Sequence, residues 1–142
     1  MTKPSLVAKW ESWAPRLRSI LRIAAALIFM SAGTMKLFGF PARPAPNPGA
    51  IKLLSQMGLA GILETFGGTL LLLGLFTRPI AFVLSGEMAV AYFQVHFARG
   101  FWPATNGGMA AALFCFVWLY FSAAGPGPWS LDAWRRKRPA SS

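Results

Sequence analysis

The chain has 142 residues, of which 55% are hydrophobic and 13% are charged, and it carries a formal net charge of +10. Soluble domains carry about a quarter charged residues, so this composition excludes an ordinary soluble domain. The basic residues cluster at the two ends of the chain, which argues against nucleic-acid binding and favours contact with lipid headgroups. We therefore expect a single membrane domain that covers residues 1–142.

Four apolar stretches predict four membrane-spanning helices, because each is about 18 residues long and a helix of that length crosses the hydrocarbon core. They cover residues 20–38, 59–76, 80–97 and 107–124. The stretches do not alternate apolar with polar residues, which excludes barrel strands. An alternative for the first stretch is a cleaved signal peptide, but Lys36 and the three later stretches favour a retained helix. The predicted fold class is an all-α integral membrane four-helix bundle.

The first connection predicts a short helix at the membrane surface. Prolines between residues 41 and 48 exclude a continuing helix. Asn47 and Pro48 are typical of a helix N-cap followed by the first helical residue. We expect an amphipathic helix from Pro48 to Met57, before span two.

The later connections are short. Thr77 followed by Arg78 and Pro79 predicts a helix cap and a tight antiparallel hairpin between spans two and three. Asn106 is the predicted cap of span four. The glycine- and proline-rich run from Gly125 ends that span, and Ser130 is the predicted cap of a short basic helix in the tail.

Charge predicts the orientation of the bundle. Most of the basic residues lie in the N-terminal segment, at the Arg78 turn and in the C-terminal tail, and the N-terminal cluster comprises Lys3, Lys9, Arg16, Arg18 and Arg22. By the positive-inside rule, both termini are expected to be cytoplasmic. The tryptophans at 10, 13, 129 and 134 then fit the inner interface, and Trp102 fits the outer one.

Two of the four acidic residues, Glu64 and Glu87, lie inside predicted spans. A carboxylate at membrane depth costs several kcal/mol unless it is neutral, paired or facing a cavity, so both are candidate functional residues. Lys36, Glu64 and His96 share the predicted outer third of the membrane, and Glu87 lies nearer the midplane. A Lys36–Glu64 pair either belongs to a site or only fixes helix register.

Helical periodicity separates some of these residues. Gly61, Glu64 and Gly68 share one face, where small residues permit close helix packing and direct Glu64 into the bundle. Glu87 is expected to be protonated and hydrogen-bonded to Gln94 or to a neighbouring helix. Glu87 and His96 lie half a turn apart, so they face one pocket only if the helix end unwinds. The alternative for His96 is a purely interfacial polar residue.

Single copies of cysteine and histidine limit the chemistry. Cys115 alone excludes a dithiol pair and an iron–sulfur site within one chain, and His96 alone excludes bis-histidine haem ligation. We predict no metal site. Redox chemistry in this chain would need a bound quinone-like molecule, an intermolecular cofactor or a partner protein.

Several segments resemble the DoxX family of small four-helix bacterial membrane proteins. They are AGTMKLFGF, LETFGGTLLLLGLFTRP, RPIAFVLSGEMAVAYFQVHFARGFWPATNGG and AAGPGPWSLD. Within them, the residues that match recurring polar positions of the family are Lys36, Glu64, Glu87, His96, Asn106 and Gly107. Met109 stands where the family commonly has Glu, so an acid at the start of span four is missing. The resemblance implies the bacterial inner membrane and a link to sulfur and quinone redox systems and membrane oxidoreductase complexes.

The sequence leaves two functions open. One is an accessory subunit of a membrane redox system that binds a quinone or other small molecule in a polar cavity, lined by Lys36, Glu64, Glu87, Gln94, His96 and Asn106. The other is a non-enzymatic membrane module that stabilises a partner protein or transports a small solute. Expected partners are the lipid bilayer, membrane redox proteins and a second copy of the chain, with no nucleic acid. Whether the protein is an enzyme is left open.

Overall fold

The computed structural model describes residues 5–42 and 52–137. All regular secondary structure in these two ranges is helical, which confirms the all-α fold class. The helices are α1 (Leu6–Phe38), α2 (Gln56–Leu73), α3 (Thr77–Arg99), α4 (Pro103–Asn106), α5 (Met109–Ala124) and α6 (Leu131–Lys137). By length and composition α1, α2 and α3 are able to cross a membrane, and α5 is a shorter apolar helix of 16 residues.

Helix α1 begins earlier than the predicted span at 20–38. It has 33 residues, and the Ser5 side chain caps it by accepting a hydrogen bond of 3.2 Å from the Ala8 N–H. At 1.5 Å per residue its length is about 50 Å, which exceeds the ~30 Å of the hydrocarbon core. The first turns of α1, with exposed Trp10 and Trp13, therefore extend beyond the apolar layer.

The predicted surface helix before span two differs from the structure where it is described. Its predicted start at Asn47 and Pro48 lies outside the described residues. From Lys52 the chain forms a turn, and Ser55 then accepts a hydrogen bond of 3.1 Å from the Gly58 N–H and caps α2. Helix α2 therefore starts at Gln56, so among the described residues 52–57 of the predicted surface helix only Gln56 and Met57 are helical.

The connection between α2 and α3 is the predicted tight hairpin, but its cap is different. Thr77 is the first helical residue of α3, and Phe76 holds a left-handed conformation with φ of 49°. The carboxylate of Asp132 in α6 accepts hydrogen bonds from the N–H groups of Phe76 and Thr77, both at 2.9 Å. The prediction that Thr77 caps the helix was wrong, because a residue distant in sequence supplies the cap.

The turns around α5 also differ in part from prediction. Gly108, not Asn106, takes the N-cap position of α5. The Asn106 side chain accepts a hydrogen bond of 2.7 Å from the Gly108 N–H and so shapes the turn before the helix. Gly125 ends α5, and Ser130 caps α6 by accepting from the Ala133 N–H at 3.1 Å, as predicted.

The core lies where the four longest helices meet. Phe29 of α1, Leu71 of α2, Leu84 of α3 and Trp118 of α5 are all at most 2% exposed. The Phe29 ring meets the Trp118 ring nearly at right angles, with 5.3 Å between centroids. Exposed Leu, Phe and Val side chains cover the outer surface, as expected for helices in contact with lipid.

Polar residues lie on both sides of this core. Along α1, Arg22 precedes Phe29 by seven residues and the candidate residue Lys36 follows it by seven, or about 10 Å in each direction. The two ends of the bundle therefore carry separate polar clusters.

Candidate functional site

The first polar feature is an ion pair between α1 and α2. The Lys36 ammonium donates to both carboxylate oxygens of Glu64. Glu64 is only 3% exposed, and the Lys36 side chain is 21% exposed. The predicted Lys36–Glu64 contact is therefore present, and its part in a functional site stays a prediction.

Glycines let the two helices approach closely enough for this pair. A Cβ added to Gly33 of α1 would lie 2.6 Å from the Thr65 backbone nitrogen, and one added to Gly61 of α2 would lie 2.9 Å from the Leu37 side chain. Gly68 packs in the same way against Met30 of α1. The face containing Gly61, Glu64 and Gly68 thus packs on α1, as the small-residue pattern predicted.

Both helices that carry candidate residues widen into a π-helical turn. In α2 the turn is Leu63–Gly67 and includes Glu64, and in α3 it is Tyr92–His96 and includes Gln94 and His96. A π-helical turn adds a residue to the helical repeat, and such turns are frequent at functional sites. The end of α3 is therefore wider than an ordinary α-helix, but no hydrogen bond or ion pair among the described residues joins Glu87 and His96.

Glu87 of α3 is the acid with no visible partner. Both of its carboxyl oxygens are buried and have no hydrogen-bond partner within residues 5–42 and 52–137. The side chain is close enough to Glu64 and Lys36 to interact electrostatically with both. We call these three residues, Lys36, Glu64 and Glu87, the Glu87 cluster.

The predicted Glu87–Gln94 hydrogen bond is absent. The Gln94 side chain instead accepts a hydrogen bond from the Gln56 amide at the start of α2. This contact ties the π-helical turn of α3 to the first turn of α2. Gln94 therefore helps to position the two helices, while Glu87 points elsewhere without a bond.

His96 and Asn106 form a second group at the same end of the bundle. The His96 Nδ1 lies 3.4 Å from the Asn106 carbonyl oxygen. The Asn106 amide donates to the Gly100 carbonyl at 2.8 Å and to the Tyr92 hydroxyl at 3.3 Å. Since its side chain is 2% exposed and bonded at both ends, Asn106 organises the chain between α3 and α5.

The opposite end of the bundle contains a residue whose role the sequence analysis missed. Arg22 was assigned to a flanking group that meets lipid headgroups, but it is fully buried. Its Nε donates to the Pro126 carbonyl at 3.0 Å, one terminal nitrogen donates to the carbonyls of Leu71 and Leu72, and the other donates to the Trp129 carbonyl. The signal in the sequence was that Arg22 lies inside the predicted span at 20–38, where a charge needs partners.

Arg22 satisfies helix-end carbonyls, and two further arginines act similarly. The last carbonyls of a helix have no partner within the helix, and a cation there also complements the helix dipole. Arg18 donates to the Ala124 carbonyl at 2.8 Å, and Arg78 donates to the carbonyls of Ser122 and Ala123. These three arginines are thus part of the scaffold as well as of the charge pattern.

Asp132 completes this end of the bundle from α6. Partial burial raises the pKa of its carboxyl group, but the hydrogen bonds from the N–H groups of Thr77 and Phe76 outweigh this effect and hold the pKa below the ordinary value. The carboxylate also faces the positive end of the dipole of α3. Asp132 is therefore an ionised cap at neutral pH.

The chemistry that the Glu87 cluster can supply is that of a carboxyl group and an ion pair. Within the described ranges, no group of three or more His, Cys, Asp or Glu side chains is placed to hold a metal ion. The Glu87 cluster offers a carboxyl group without a partner beside a buried ion pair. Such a group can donate or accept one hydrogen bond or proton.

Comparison with known proteins identifies the family. The DoxX family model matches residues 17–97. The chain is 42% identical over 125 residues to an uncharacterized protein of Haemophilus influenzae, covering 86% of this chain and 92% of that one. It is 29% identical over 132 residues to an uncharacterized membrane protein of Mycobacterium tuberculosis, covering 83% and 80% of the two chains. No solved structure matches significantly. The chain belongs to the DoxX family and is a multi-pass membrane protein.

Proposed function

We propose that this DoxX-family protein is an accessory subunit of a quinone- or sulfur-linked redox system in the bacterial inner membrane, and that it binds a quinone-like molecule at the Glu87 cluster. The lipid bilayer is its environment, since several helices are long and apolar enough to span one. The redox partner would be another membrane protein. Transfer of electrons by this chain alone is not part of the proposal.

The observation that carries this proposal is the unpartnered carboxyl group of Glu87. Buried polar atoms are nearly always hydrogen-bonded, so a buried carboxyl group without a partner needs an explanation. The hydroxyl group of Thr65, in the π-helical turn of α2, is also buried without a partner among the described residues. A polar ligand that supplies the missing partner accounts for Glu87 without further assumptions.

A quinone suits the chemistry of the cluster. Its carbonyl oxygens accept hydrogen bonds, and a protonated Glu87 carboxyl group can donate them. In a low-dielectric bundle these interactions are stronger than in water.

A binding assay tests the proposal. Purified protein in nanodiscs is titrated with a short-chain ubiquinone or menaquinone, and binding is followed through the quenching of intrinsic tryptophan fluorescence. We expect saturable binding that weakens severalfold in Glu87→Gln, because an amide N–H is a weaker donor than a neutral carboxyl O–H and a hydrogen bond between neutral groups contributes about 0.5–1.5 kcal/mol. Glu11→Gln, which removes an exposed acid of α1, is the matched control and should bind as the wild type does.

Absence of saturable quinone binding would contradict this function. Recovery of one stoichiometric partner protein together with no quinone binding would favour the non-enzymatic module. If Glu87→Gln and Glu11→Gln weakened quinone binding equally, the assignment of the binding site to Glu87 would be wrong, because the loss would not depend on which acid was replaced.

The proposed orientation places both termini in the cytoplasm and the Glu87 cluster toward the outside. It rests on the excess of basic residues at the termini and at the Arg78 turn. In a Cys115→Ser background, cysteines introduced at Ser5 and Ser141 should be protected from an impermeant reagent in intact cells, and one at Asn47 should react. Labelling of both termini with protection of Asn47 would reverse the orientation.

A further inference from the structure

A groove lined by arginines lies at the end of the bundle opposite the Glu87 cluster. Its volume is about 470 Å³, and it is bounded by the start of α3, the residues after α5, and α6. Three of its lining residues are Arg78, Arg135 and Arg136, and its acidic lining residue is Asp132. This groove is independent of the site proposed above.

The groove is positively charged despite Asp132. The carboxylate of Asp132 is held by the N–H groups of Phe76 and Thr77 at 2.9 Å, so its charge is balanced by the first turn of α3. Three guanidinium groups are left facing one partly neutralised carboxylate. A ligand that complements the groove therefore carries negative charge.

The arginines are held in place without using all of their donors. Arg78 is fixed by its hydrogen bonds to carbonyls at the end of α5. The guanidinium carbon of Arg135 lies 5.3 Å from the centroid of the Phe76 ring, an interaction that uses its charge and none of its N–H groups. Arg136 donates through Nε to the Asp132 carbonyl at 3.3 Å. Positioned guanidinium groups with N–H donors to spare bind phosphate through paired hydrogen bonds.

The depth of the groove matches that of lipid phosphates. Thr77, the first residue of the membrane-spanning helix α3, and Pro126, just after α5, both line it. Trp129 and Trp134 in the same part of the chain are about half exposed, as is typical of the interface between hydrocarbon and water. Basic pockets between membrane helices at this level are known to bind lipid headgroups.

We propose that this groove binds a phosphate group, and that the phosphate is that of an anionic phospholipid in the surrounding leaflet. A soluble phosphate compound offers the same chemistry from another source. The lipid is favoured because the lining includes the first residue of a membrane-spanning helix. Binding there would clamp α6 against the α2–α3 hairpin and fix the tail on the membrane surface.

Native mass spectrometry of the full-length protein tests this site. Delipidated protein in a neutral detergent is mixed with phosphatidylglycerol or with phosphatidylcholine, and bound lipid is counted. The wild type should retain one phosphatidylglycerol with a preference of at least about tenfold over phosphatidylcholine. Arg135→Gln combined with Arg136→Gln should lose that preference, and since both side chains are exposed the melting temperature should change little.

The matched control removes two cations outside the groove. Lys9→Gln combined with Arg16→Gln makes the same change in net charge on exposed residues of α1, where Arg16 also lies over an aromatic ring, that of Trp13. The control should keep the wild-type preference. Equal losses in the two double variants, or no preference in the wild type, would overturn the proposed site.

A second arm distinguishes the source of the phosphate. Inorganic phosphate at millimolar concentration is added to the phosphatidylglycerol complex. Retention of the lipid supports the lipid headgroup as the ligand. Displacement from the wild type, with direct phosphate binding that the Arg135/Arg136 variant loses, supports a soluble phosphate in the same groove. If neither lipid nor phosphate binds in a way that depends on these arginines, the proposal is wrong.

Discussion

Arg22 and Glu87 are both ionisable residues within membrane-spanning helices, but the protein treats them in opposite ways. Every nitrogen of the Arg22 guanidinium group donates to a backbone carbonyl, and the side chain is fully buried. Both carboxyl oxygens of Glu87 are buried without a hydrogen-bond partner in the described chain. Arg22 therefore contributes hydrogen bonds to the fold, whereas the Glu87 carboxyl group contributes none within the described residues.

This contrast gives a physical criterion for separating scaffold from site in a membrane bundle. A charge inside the membrane is costly whether or not it is functional, so its presence alone does not decide between the two roles. The hydrogen-bond partners distinguish Arg22 from Glu87. The partners of Arg22 all lie in the chain and stabilise the fold, whereas the Glu87 carboxyl oxygens are buried without a partner among the described residues, which costs stability.

The largest effect on stability should come from Arg22→Met. The substitution removes the side-chain donor from four buried or partly buried carbonyl groups, of which that of Leu71 keeps the Gly74 N–H, and each group left unsatisfied costs about 1–3 kcal/mol. We expect a loss on the order of 5 kcal/mol, or failure to obtain folded protein, in thermal unfolding followed in detergent. The stability of Arg22→Lys should lie between those of the wild type and Arg22→Met, because an ammonium group keeps the positive charge but lacks the forked geometry of a guanidinium group.

The control for this prediction is Arg16→Met, which removes an exposed arginine from the same helix and should change stability by no more than about 0.5 kcal/mol. If Arg22→Met had the same melting temperature as Arg16→Met and the wild type, Arg22 would not be part of the scaffold.

The Lys36–Glu64 pair should give the next largest effect. Removing one partner leaves a buried charge unpaired, so Lys36→Met and Glu64→Gln should each lose on the order of 3 kcal/mol. The double variant should recover part of this loss, because neither charge is then left alone. A double-mutant cycle measured by thermal unfolding checks the coupling, and strictly additive losses would show that the two residues do not act as a pair.

Asp132→Asn should have a smaller effect with a defined pH dependence. Loss of a helix cap costs about 1 kcal/mol. Since the pKa of Asp132 is lower in the folded protein than in the unfolded chain, its contribution is fully present above the unfolded value of about 4 and is lost as the pH falls through the folded value. Unfolding measured between pH 2 and 7 should show a gap between wild type and variant that closes at the acidic end. A gap that stayed constant with pH would mean that the charge of Asp132 is not involved.

Glu87 should show the smallest effect on stability. Glu87→Gln keeps the size and a hydrogen-bond donor, so the melting temperature should stay close to the wild-type value. Glu87→Leu removes a buried polar group that has no partner in the described chain, so it should be neutral or stabilising. A marked loss of stability in Glu87→Leu would contradict this expectation. It would show that Glu87 has a structural partner and that, like Arg22, it stabilises the fold.

The protonation state of Glu87 can be observed separately. We expect the carboxyl group to be neutral at pH 7, and infrared spectroscopy of the wild type and Glu87→Gln should then show a protonated carboxyl band that only the wild type has. A carboxylate band in its place would point to a cation or a charged partner at this position.

The sequence by itself determined the fold class and one polar contact at one end, the Lys36–Glu64 pair. Long uninterrupted apolar stretches permit little other than membrane helices, since every backbone polar group in lipid must be bonded within the segment. The Lys36–Glu64 contact followed from matching depth, and the inward direction of Glu64 from the glycines that share its face. These features depend on periodicity and length, which are local properties of the chain.

Only the tertiary structure decided the partners of groups that meet across long sequence separations. Asp132 caps a helix that begins more than fifty residues earlier, and Arg22 bonds carbonyls of α2 and of the segment after α5. No local pattern encodes such contacts, because they depend on which helix ends pack together. The π-helical turns at Glu64 and His96 are likewise set by packing, since the same residues favour an ordinary α-helix when taken alone.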